Sequence, residues 1–179
     1  MDRIFIGGHR RQTGILTVTT FAELGIDQDI VDSLASKGIE SAFPIQEQTI
    51  PLGLPGQDII GQAKTGTGKT FGFGIPVVQR LGLDPEPGVK ALIVVPTREL
   101  CVQVFEDLQL LTAGRSTSVV AIYGGKAYEG QIEQLKAGAQ IVVGTPGRLI
   151  DLAGQRLLDL SNATEVVPDE ADKILDLGC

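Results

Sequence analysis

Two segments of this sequence carry residue types whose spacing suits the chemistry of phosphate groups. The first, residues 63–70, reads Ala-Lys-Thr-Gly-Thr-Gly-Lys-Thr and lies between a short apolar run and a helical pattern. Glycines in such a turn let backbone N–H groups point inward at phosphate oxygens, and the start of the following helix adds a positive dipole end. The predicted phosphate-binding residues are Thr65, Gly66, Thr67, Gly68, Lys69 and Thr70.

Lys69 and Thr70 have the most specific roles in this pattern. The Lys69 amine would contact the β- and γ-phosphates of a nucleotide, and the Thr70 hydroxyl would bind Mg²⁺. Ala63 stands at the first position, where the strict pattern has glycine. A glycine-rich turn beside a surface lysine is the alternative, and the strand–turn–helix setting makes that alternative the weaker one.

The second segment is Asp169-Glu170, which follows the apolar pair Val166-Val167. An acidic residue at a strand end can hold Mg²⁺, and Asp169 is the candidate, through water. Glu170 would orient and deprotonate an attacking water molecule. Acidic residues at such a place are also ordinary helix caps. The phosphate-binding pattern favours the metal interpretation, in which Lys69, Asp169 and Glu170 are the catalytic candidates.

Composition favours one domain with an aliphatic core. The chain has 179 residues, of which 42% are hydrophobic and 4% aromatic, with no tryptophan. The net charge of −7 argues against a broad basic surface, so any contact to nucleic acid must use a few placed donors. Cys101 and Cys179 have no metal-binding or redox spacing. No apolar run reaches the roughly 18 residues of a membrane span, and we expect a cytoplasmic protein without a membrane segment.

Short apolar runs alternate with helical patterns along the chain, which predicts a parallel sheet with helices on both faces. Predicted helices cover residues 27–37, 44–50, 69–81, 98–111, 128–136 and 146–153, and predicted strands cover 58–62, 91–95, 118–123, 140–143 and 165–167. Ligands bind beyond the carboxyl ends of the strands in such sheets. The segments at those ends are residues 65–70, 96–99, 124–125, 145–148 and 169–172. We therefore predict a three-layer α/β domain of about five strands with its site on one edge.

Residues 169–172 read Asp-Glu-Ala-Asp, and over residues 21–178 the chain resembles the first RecA-like domain of a DEAD-box ATP-dependent RNA helicase. The resemblance implies a RecA-like P-loop fold with a mainly parallel sheet, incomplete at its C-terminal end. It also implies ATP and Mg²⁺ as cofactors and sequence-independent contacts to single-stranded RNA. We interpret residues 1–17 as a flexible N-terminal extension and residues 18–179 as a partial helicase domain 1.

Within this resemblance, residues 38–46 match the Q motif, in which a glutamine reads adenine. Gln46 would hydrogen-bond the adenine edge, which is a pairing that a side-chain amide can make. Phe21 stands where the family has an isolated aromatic that stacks on the adenine ring. An ordinary core aromatic is the alternative for Phe21.

Three further segments, residues 96–100, 124–125 and 145–148, match the RNA-backbone motifs of the family in order. Backbone amides, hydroxyls and helix starts bind phosphates without reading sequence, which suits a chain of negative net charge. Helix caps and glycine turns are the alternatives for each segment, and an internal ion pair is the alternative for Arg148. The resemblance implies RNA contacts by Thr97, Arg98, Gly125, Thr145, Gly147 and Arg148.

The chain departs from the family pattern in three places. The Ser-Ala-Thr motif that follows the DEAD segment is missing, so we expect a gap in the sheet beside the DEAD strand. A second RecA-like domain, which supplies arginine fingers in the family and is required for activity, is also missing, so we expect the isolated chain to be inactive. Pro168 replaces an aliphatic residue, and proline disturbs a central strand but is tolerated at an edge.

Three functional classes stay open from the sequence. The chain is the ATP- and RNA-binding half of a helicase motor, a non-catalytic module that binds nucleotide or RNA, or a non-functional truncated product. A different P-loop enzyme, such as a small kinase or a GTPase, would lack the Gln46 element. A GTPase would also need a guanine-binding motif that the sequence does not contain.

Overall fold

The computed structural model describes residues 17–56 and 68–170 in full, together with the backbone of residues 4–6 and 59–61. The chain forms two compact units, Met1–Gly82 and Leu83–Cys179. We call them unit 1 and unit 2 and describe each by itself.

Several predicted residues fall outside this description. They are Thr65, Gly66 and Thr67 of the phosphate-binding loop, together with Ala171 and Asp172 of the acidic segment.

The described part of unit 1 contains four helices and one pair of parallel strands. The helices are a 3-10 helix (Phe21–Leu24), α1 (Gln28–Ala35), α2 (Pro44–Gly53) and α3 (Lys69–Leu81), and the strands are β1 (Ile4–Ile6) and β2 (Ile59–Gly61). Ile4 lies opposite Ile59 in the β1–β2 ladder. Within the predicted extension over residues 1–17, the structure therefore describes a short strand, and the flexibility of that extension stays a prediction.

Helix α1 begins where the sequence predicts, with Asp27 as its N-cap. Ile30 and Leu34 are fully buried and lie one helical turn apart, which is the apolar stripe expected of an amphipathic helix. The chain leaves the helix through Gly38, whose φ of 71° is the left-handed conformation that favours glycine. The local sequence therefore determines both ends of α1.

Helices α2 and α3 approach each other closely at Gly72. Pro76 lies inside α3 and has no N–H to donate to the Gly72 carbonyl one turn earlier. The Thr49 hydroxyl of α2 donates to the Ile45 carbonyl at 2.6 Å and lies 3.5 Å from the Gly72 carbonyl oxygen. A Cβ at Gly72 would stand 3.0 Å from Thr49 Oγ1, which is closer than ordinary packing, so a larger residue there would have to displace the Thr49 hydroxyl.

Unit 2 is built on a parallel sheet of four strands in the described part of the chain. They are β3 (Ala91–Val94), β4 (Val119–Ile122), β5 (Ile141–Gly144) and β6 (Glu165–Pro168), and their spatial order is β4-β5-β3-β6. Ala91 lies opposite Ile141 in one ladder and opposite Glu165 in the other. This all-parallel sheet confirms the α/β class that the alternation of strands and helices predicts.

Helices cover both faces of the unit 2 sheet. They are α4 (Arg98–Leu111), α5 (Tyr128–Lys136) and α6 (Pro146–Gly154). On one face, strand residues pack with α5 and α6 in a cluster that includes Leu92, Val120, Val142, Leu149 and Leu152. Side chains alternate between faces along a strand, and α4 packs on β4 and β5 through residues outside that cluster. The three-layer prediction is therefore confirmed for unit 2.

Cys101 of α4 is fully buried against this sheet. Its thiol donates a hydrogen bond to the Val143 carbonyl at 3.3 Å. Burial raises the pKa of the Cys101 thiol to about 11, because the thiolate would lose its hydration. The thiol is protonated at neutral pH and has a packing role.

The prediction of about five strands in one sheet is wrong for the described residues, since the main sheet has four. Strand β2, which precedes the phosphate-binding segment, pairs with β1 and with none of β3 to β6. The physical reason is that an apolar run identifies a strand but does not specify its partner.

Pro168 ends β6, which is an edge strand of the four described. The Glu165 N–H donates to the Lys90 carbonyl at 3.1 Å, and the Asp169 N–H donates to the Val94 carbonyl at 2.9 Å. Both bonds therefore point toward β3 and the residue before it. Successive N–H groups of a strand point in opposite directions. The position where Pro168 lacks an N–H therefore faces away from β3, and the proline is accommodated as an edge residue.

Candidate functional site

Unit 1 places Gly68, Lys69 and Thr70 at the start of α3. Gly68 is the N-cap and has a φ of 78°, which favours glycine, and Lys69 and Thr70 form the first turn. All three residues are half-buried. The free N–H groups and the dipole of a helix start attract anions. This helix start therefore offers backbone N–H groups, a lysine amine and a threonine hydroxyl, which are groups that bind phosphate.

Gln46 is joined directly to this helix start. Its side chain is 1% exposed, its Oε1 accepts from the Phe43 N–H at 2.8 Å, and its Nε2 donates to the Gly68 carbonyl at 3.0 Å. A Cβ at Gly68 would stand 2.2 Å from Gln46 Nε2, so this approach requires glycine. An amide has two N–H donors and two acceptor lone pairs, so these two hydrogen bonds leave one donor and one acceptor of Gln46 unused.

Phe21 is 1% exposed and belongs to the core of unit 1 in this structure. Its N–H donates to the Glu40 carbonyl at 3.2 Å, next to an antiparallel bridge between Thr20 and Ser41. The ring face that would stack on adenine is covered here. Stacking by Phe21 stays a prediction, and the described geometry favours the alternative of a core aromatic.

The RNA-backbone candidates lie at the carboxyl ends of the parallel strands of unit 2, and therefore on one edge of its sheet. Thr97 is the N-cap of α4, and its hydroxyl accepts from the Leu100 N–H at 3.2 Å. Thr145 is the N-cap of α6, where its hydroxyl makes no cap hydrogen bond. Gly147 lies in the first turn of the same helix and is exposed.

Tyr123, at the end of β4, joins two of these segments. The guanidinium carbon of Arg98 stands 5.3 Å from the Tyr123 ring centroid, and the Lys126 amine stands 5.7 Å from it. Cations at this distance are attracted by the ring face. Gly125 has a φ of 78°, and a Cβ there would stand 3.3 Å from Arg98 Nη1. The structure thus brings Arg98 and Gly125 into contact.

Arg148, at the start of α6, reaches back to the same loop. Its two terminal nitrogens donate to the Lys126 carbonyl at 3.2 and 3.3 Å, and its guanidinium carbon stands 3.8 Å from the Tyr128 ring centroid. The Tyr128 hydroxyl donates to the Asp151 carboxylate. This hydrogen bond raises the pKa of Tyr128 and lowers the pKa of Asp151. Arg148 therefore fixes the loop after Gly125.

Asp169 and Glu170 follow β6 at the same edge. Asp169 is 8% exposed, and its N–H extends the ladder by donating to the Val94 carbonyl. Glu170 has a φ of 52°, a left-handed conformation that is uncommon for residues other than glycine. Within the described residues, no group of three or more His, Cys, Asp or Glu side chains forms a metal site.

Sequence reasoning missed four residues of the unit 2 site: Tyr123, Lys126, Tyr128 and Asp151. The signal for three of them is the hexapeptide Tyr-Gly-Gly-Lys-Ala-Tyr, in which aromatic residues flank a cation. Aromatic rings so close to Arg98 and Arg148 in the fold favour cation–π pairs. No local pattern indicates Asp151, because its hydrogen bond to Tyr128 joins two separate helices, α5 and α6.

Comparison with known proteins identifies one family. The DEAD/DEAH box helicase family model matches residues 43–179. The chain is 49% identical over 161 residues to the ATP-dependent RNA helicase CshA of Listeria monocytogenes, and 46% identical over 160 residues to the DEAD-box ATP-dependent RNA helicase CshA of Bacillus subtilis. These alignments cover 90% and 89% of this chain but 31% and 32% of the relatives, so the chain spans about a third of their length.

Solved structures give the same result. A DEAD box protein from the hyperthermophile Methanococcus jannaschii matches with a TM-score of 0.82 and 40% identity, over 89% of this chain and 43% of that one. A hypothetical ATP-dependent RNA helicase from Sulfolobus tokodaii matches with a TM-score of 0.77 and 37% identity, over 86% of this chain and 44% of that one. The RecA-like fold that the sequence implies is therefore confirmed. In the described part of the chain, no helix has the length and apolar character needed to cross a membrane.

Proposed function

Because this chain belongs to the DEAD/DEAH box helicase family, we propose that it provides the ATP-binding and RNA-binding half of an ATP-dependent RNA helicase. One observation supports the nucleotide part of this proposal above all others. The amide of Gln46 is hydrogen-bonded to Gly68, the residue that starts the helix carrying Lys69 and Thr70. The side chain proposed to read adenine thus lies beside the helix start proposed to bind phosphate.

In unit 1, Gln46 would select adenine through its remaining donor and acceptor. Lys69 would contact the β- and γ-phosphates, and Thr70 would supply a hydroxyl ligand to Mg²⁺. Mg²⁺ in such enzymes is held by one or two carboxylates together with the substrate phosphates, and it neutralises charge on them. The predicted contacts of Phe21, Thr65, Gly66 and Thr67 to the nucleotide belong to the same proposal.

In unit 2, the edge formed by the strand ends would bind the sugar-phosphate chain of single-stranded RNA. Arg98 and Arg148 supply charged donors, while Thr97, Thr145, Gly125 and Gly147 supply hydroxyls and backbone groups. Such contacts position RNA without reading its sequence. Asp169 would hold Mg²⁺ through water, and Glu170 would act on the attacking water as a general base.

The proposal is tested by thermal melts of the chain without ligand, with Mg-ADP and with Mg-GDP. A ligand that binds only the folded state adds about 2.7 kcal/mol of stability at 100 times its dissociation constant. We expect Mg-ADP to raise the midpoint and Mg-GDP to leave it unchanged. Lys69→Ala should abolish the ADP shift, and Lys37→Ala, at an exposed lysine of the same unit, should preserve it.

Three outcomes would contradict the proposal in whole or in part. A cooperative melt that is indifferent to both nucleotides would mean that unit 1 has no working nucleotide site. The lack of any cooperative transition would favour the alternative of a non-functional product. An equal shift with ADP and GDP would leave a phosphate site but remove the role of Gln46.

A further inference from the structure

We propose that Lys126 makes an additional contact to an RNA phosphate, beside the contact of Arg98. The inference rests on the proposed RNA-binding function of unit 2 and extends it by one residue. Lys126 directly follows the Gly124-Gly125 turn, at the carboxyl edge of the sheet, and it is exposed. Neither the family match nor the backbone motifs assign it a role.

The backbone of Lys126 is held in place before any ligand arrives. Its carbonyl accepts two hydrogen bonds from the guanidinium of Arg148, at 3.2 and 3.3 Å. Arg148 is itself stacked on Tyr128, which is hydrogen-bonded to Asp151. The backbone at Lys126 therefore loses little further conformational freedom when a ligand binds, and the ordering cost is confined to the lysine side chain.

The Lys126 amine shares the ring of Tyr123 with the guanidinium of Arg98. The two cations stand 5.7 and 5.3 Å from one centroid, and Tyr123 is 6% exposed, which limits where the ring can move. Gln131 Nε2 also donates to the backbone carbonyl of Tyr123 at 3.2 Å, which helps to fix the main chain that carries the ring. Both positive charges therefore lie within 6 Å of the centre of one ring.

In the described residues of unit 2, neither of these charges is neutralised by an ion pair. Within residues 68–170, the structure shows no ion pair for Arg98 or Lys126, and their recorded partners are the aromatic ring and, for Lys126, its backbone carbonyl. An anion within reach of both cations would be attracted by each of them. The chain as a whole carries a net charge of −7, so these two cations do not belong to a broadly basic protein.

A phosphodiester group is the anion that this arrangement suits. A lysine amine binds phosphate as a compact point charge, while arginine binds it with a planar fork. Arg98 and Lys126 combine both modes at the exposed turn where the RNA backbone is proposed to pass. The contact would be independent of the RNA sequence, since it involves no base edge.

The test is the salt dependence of RNA binding, measured by fluorescence anisotropy of a labelled uridine oligonucleotide with the 179-residue chain. We would compare Lys126→Gln, Lys126→Arg and the control Lys136→Gln over about 50 to 200 mM salt. Lys136 is exposed and ends α5, so it lies at the opposite edge of the sheet from Tyr128, with which α5 begins. It therefore provides the same change in charge away from the proposed contact.

Lys126→Gln should weaken binding about fivefold at low salt. It should also reduce the slope of log affinity against log salt by about 0.7, the value for one phosphate of a single strand. Lys126→Arg should keep the wild-type slope, and Lys136→Gln should match the wild type in both quantities.

Two results would overturn the inference alone. One is a Lys126→Gln variant that behaves like Lys136→Gln. The other is a loss of affinity with an unchanged slope, which would indicate a structural role for Lys126. If the wild-type chain shows no salt-dependent RNA binding, the proposed RNA function of unit 2 fails, and the assignment of Lys126 fails with it.

Discussion

The Gln46 side chain connects two segments of the candidate nucleotide site through hydrogen bonds to Phe43 and Gly68. The motif around it predicts an adenine contact, but the bond to Gly68 joins residues that are 22 positions apart. No local pattern predicts such a bond, because it depends on the packing of α2 against α3. The same holds for the contact between Tyr123 and Arg98, which belong to separate segments.

At the residue scale, we predict that Gln46→Glu destabilises the chain by about 2 kcal/mol. The carboxylate would keep an acceptor for the Phe43 N–H but would place a negative charge against the Gly68 carbonyl, in a site that is 1% exposed. Urea unfolding at pH 7 measures the effect. Gln48→Glu is the matched control, since Gln48 is an exposed residue of the same helix and should change stability little. Equal effects of the two variants would contradict the prediction.

At the scale of elements, the sequence predicts the bounds of three helices correctly. Residues 69–81, 98–111 and 128–136 are helical in the structure, as their apolar spacing and their flanking threonine and glycine residues indicate. The three residues of β1 were missed, because so short a strand has no detectable period and is defined by its partner β2. The predicted strand also stopped one residue before Pro168. A proline is tolerated at the edge of a sheet, and the sequence does not reveal that β6 is an edge strand.

The contact between α2 and α3 gives a prediction at this scale. Gly72→Ala should destabilise the chain by about 1 kcal/mol, although alanine is the better helix former, because the new Cβ would stand 3.0 Å from the buried Thr49 Oγ1. Combining it with Thr49→Ala should remove most of that penalty. A double-mutant cycle by urea unfolding measures the coupling. Additive effects of the two substitutions would show that the helices do not meet as closely as described.

At the scale of the whole molecule, the predicted residues are divided between the two units. Unit 1 contains Phe21, Gln46 and the helix start at Lys69, while unit 2 contains the RNA-backbone candidates together with Asp169 and Glu170. The chain spans about a third of the length of its CshA relatives. The sequence predicts the fold class and most elements well, but it leaves strand partners and the contacts between segments to the structure.

We predict that the 179-residue chain releases phosphate from ATP at a negligible rate, with or without RNA. In related NTPases, an arginine finger accelerates hydrolysis roughly 10³–10⁵-fold, and the family resemblance assigns that group to a second RecA-like domain. Steady-state phosphate release, with a uridine oligonucleotide added in one series, measures the rate. The Glu170→Gln variant should give the same background. RNA-stimulated release that this variant abolishes would contradict the prediction.

The strand order of unit 2 also has a consequence for synthesis of the chain on the ribosome. Strand β3 emerges first, but Ala91 must wait for Ile141 and Glu165, its partners in the two neighbouring strands. Strand β5 is the first to find a neighbour, since both β3 and β4 are already present when it emerges. Contacts so distant along the chain form slowly, and apolar strands without partners are prone to aggregate. We therefore expect Ala91, Leu92 and Ile93 to lack strand partners until β5 has left the ribosome.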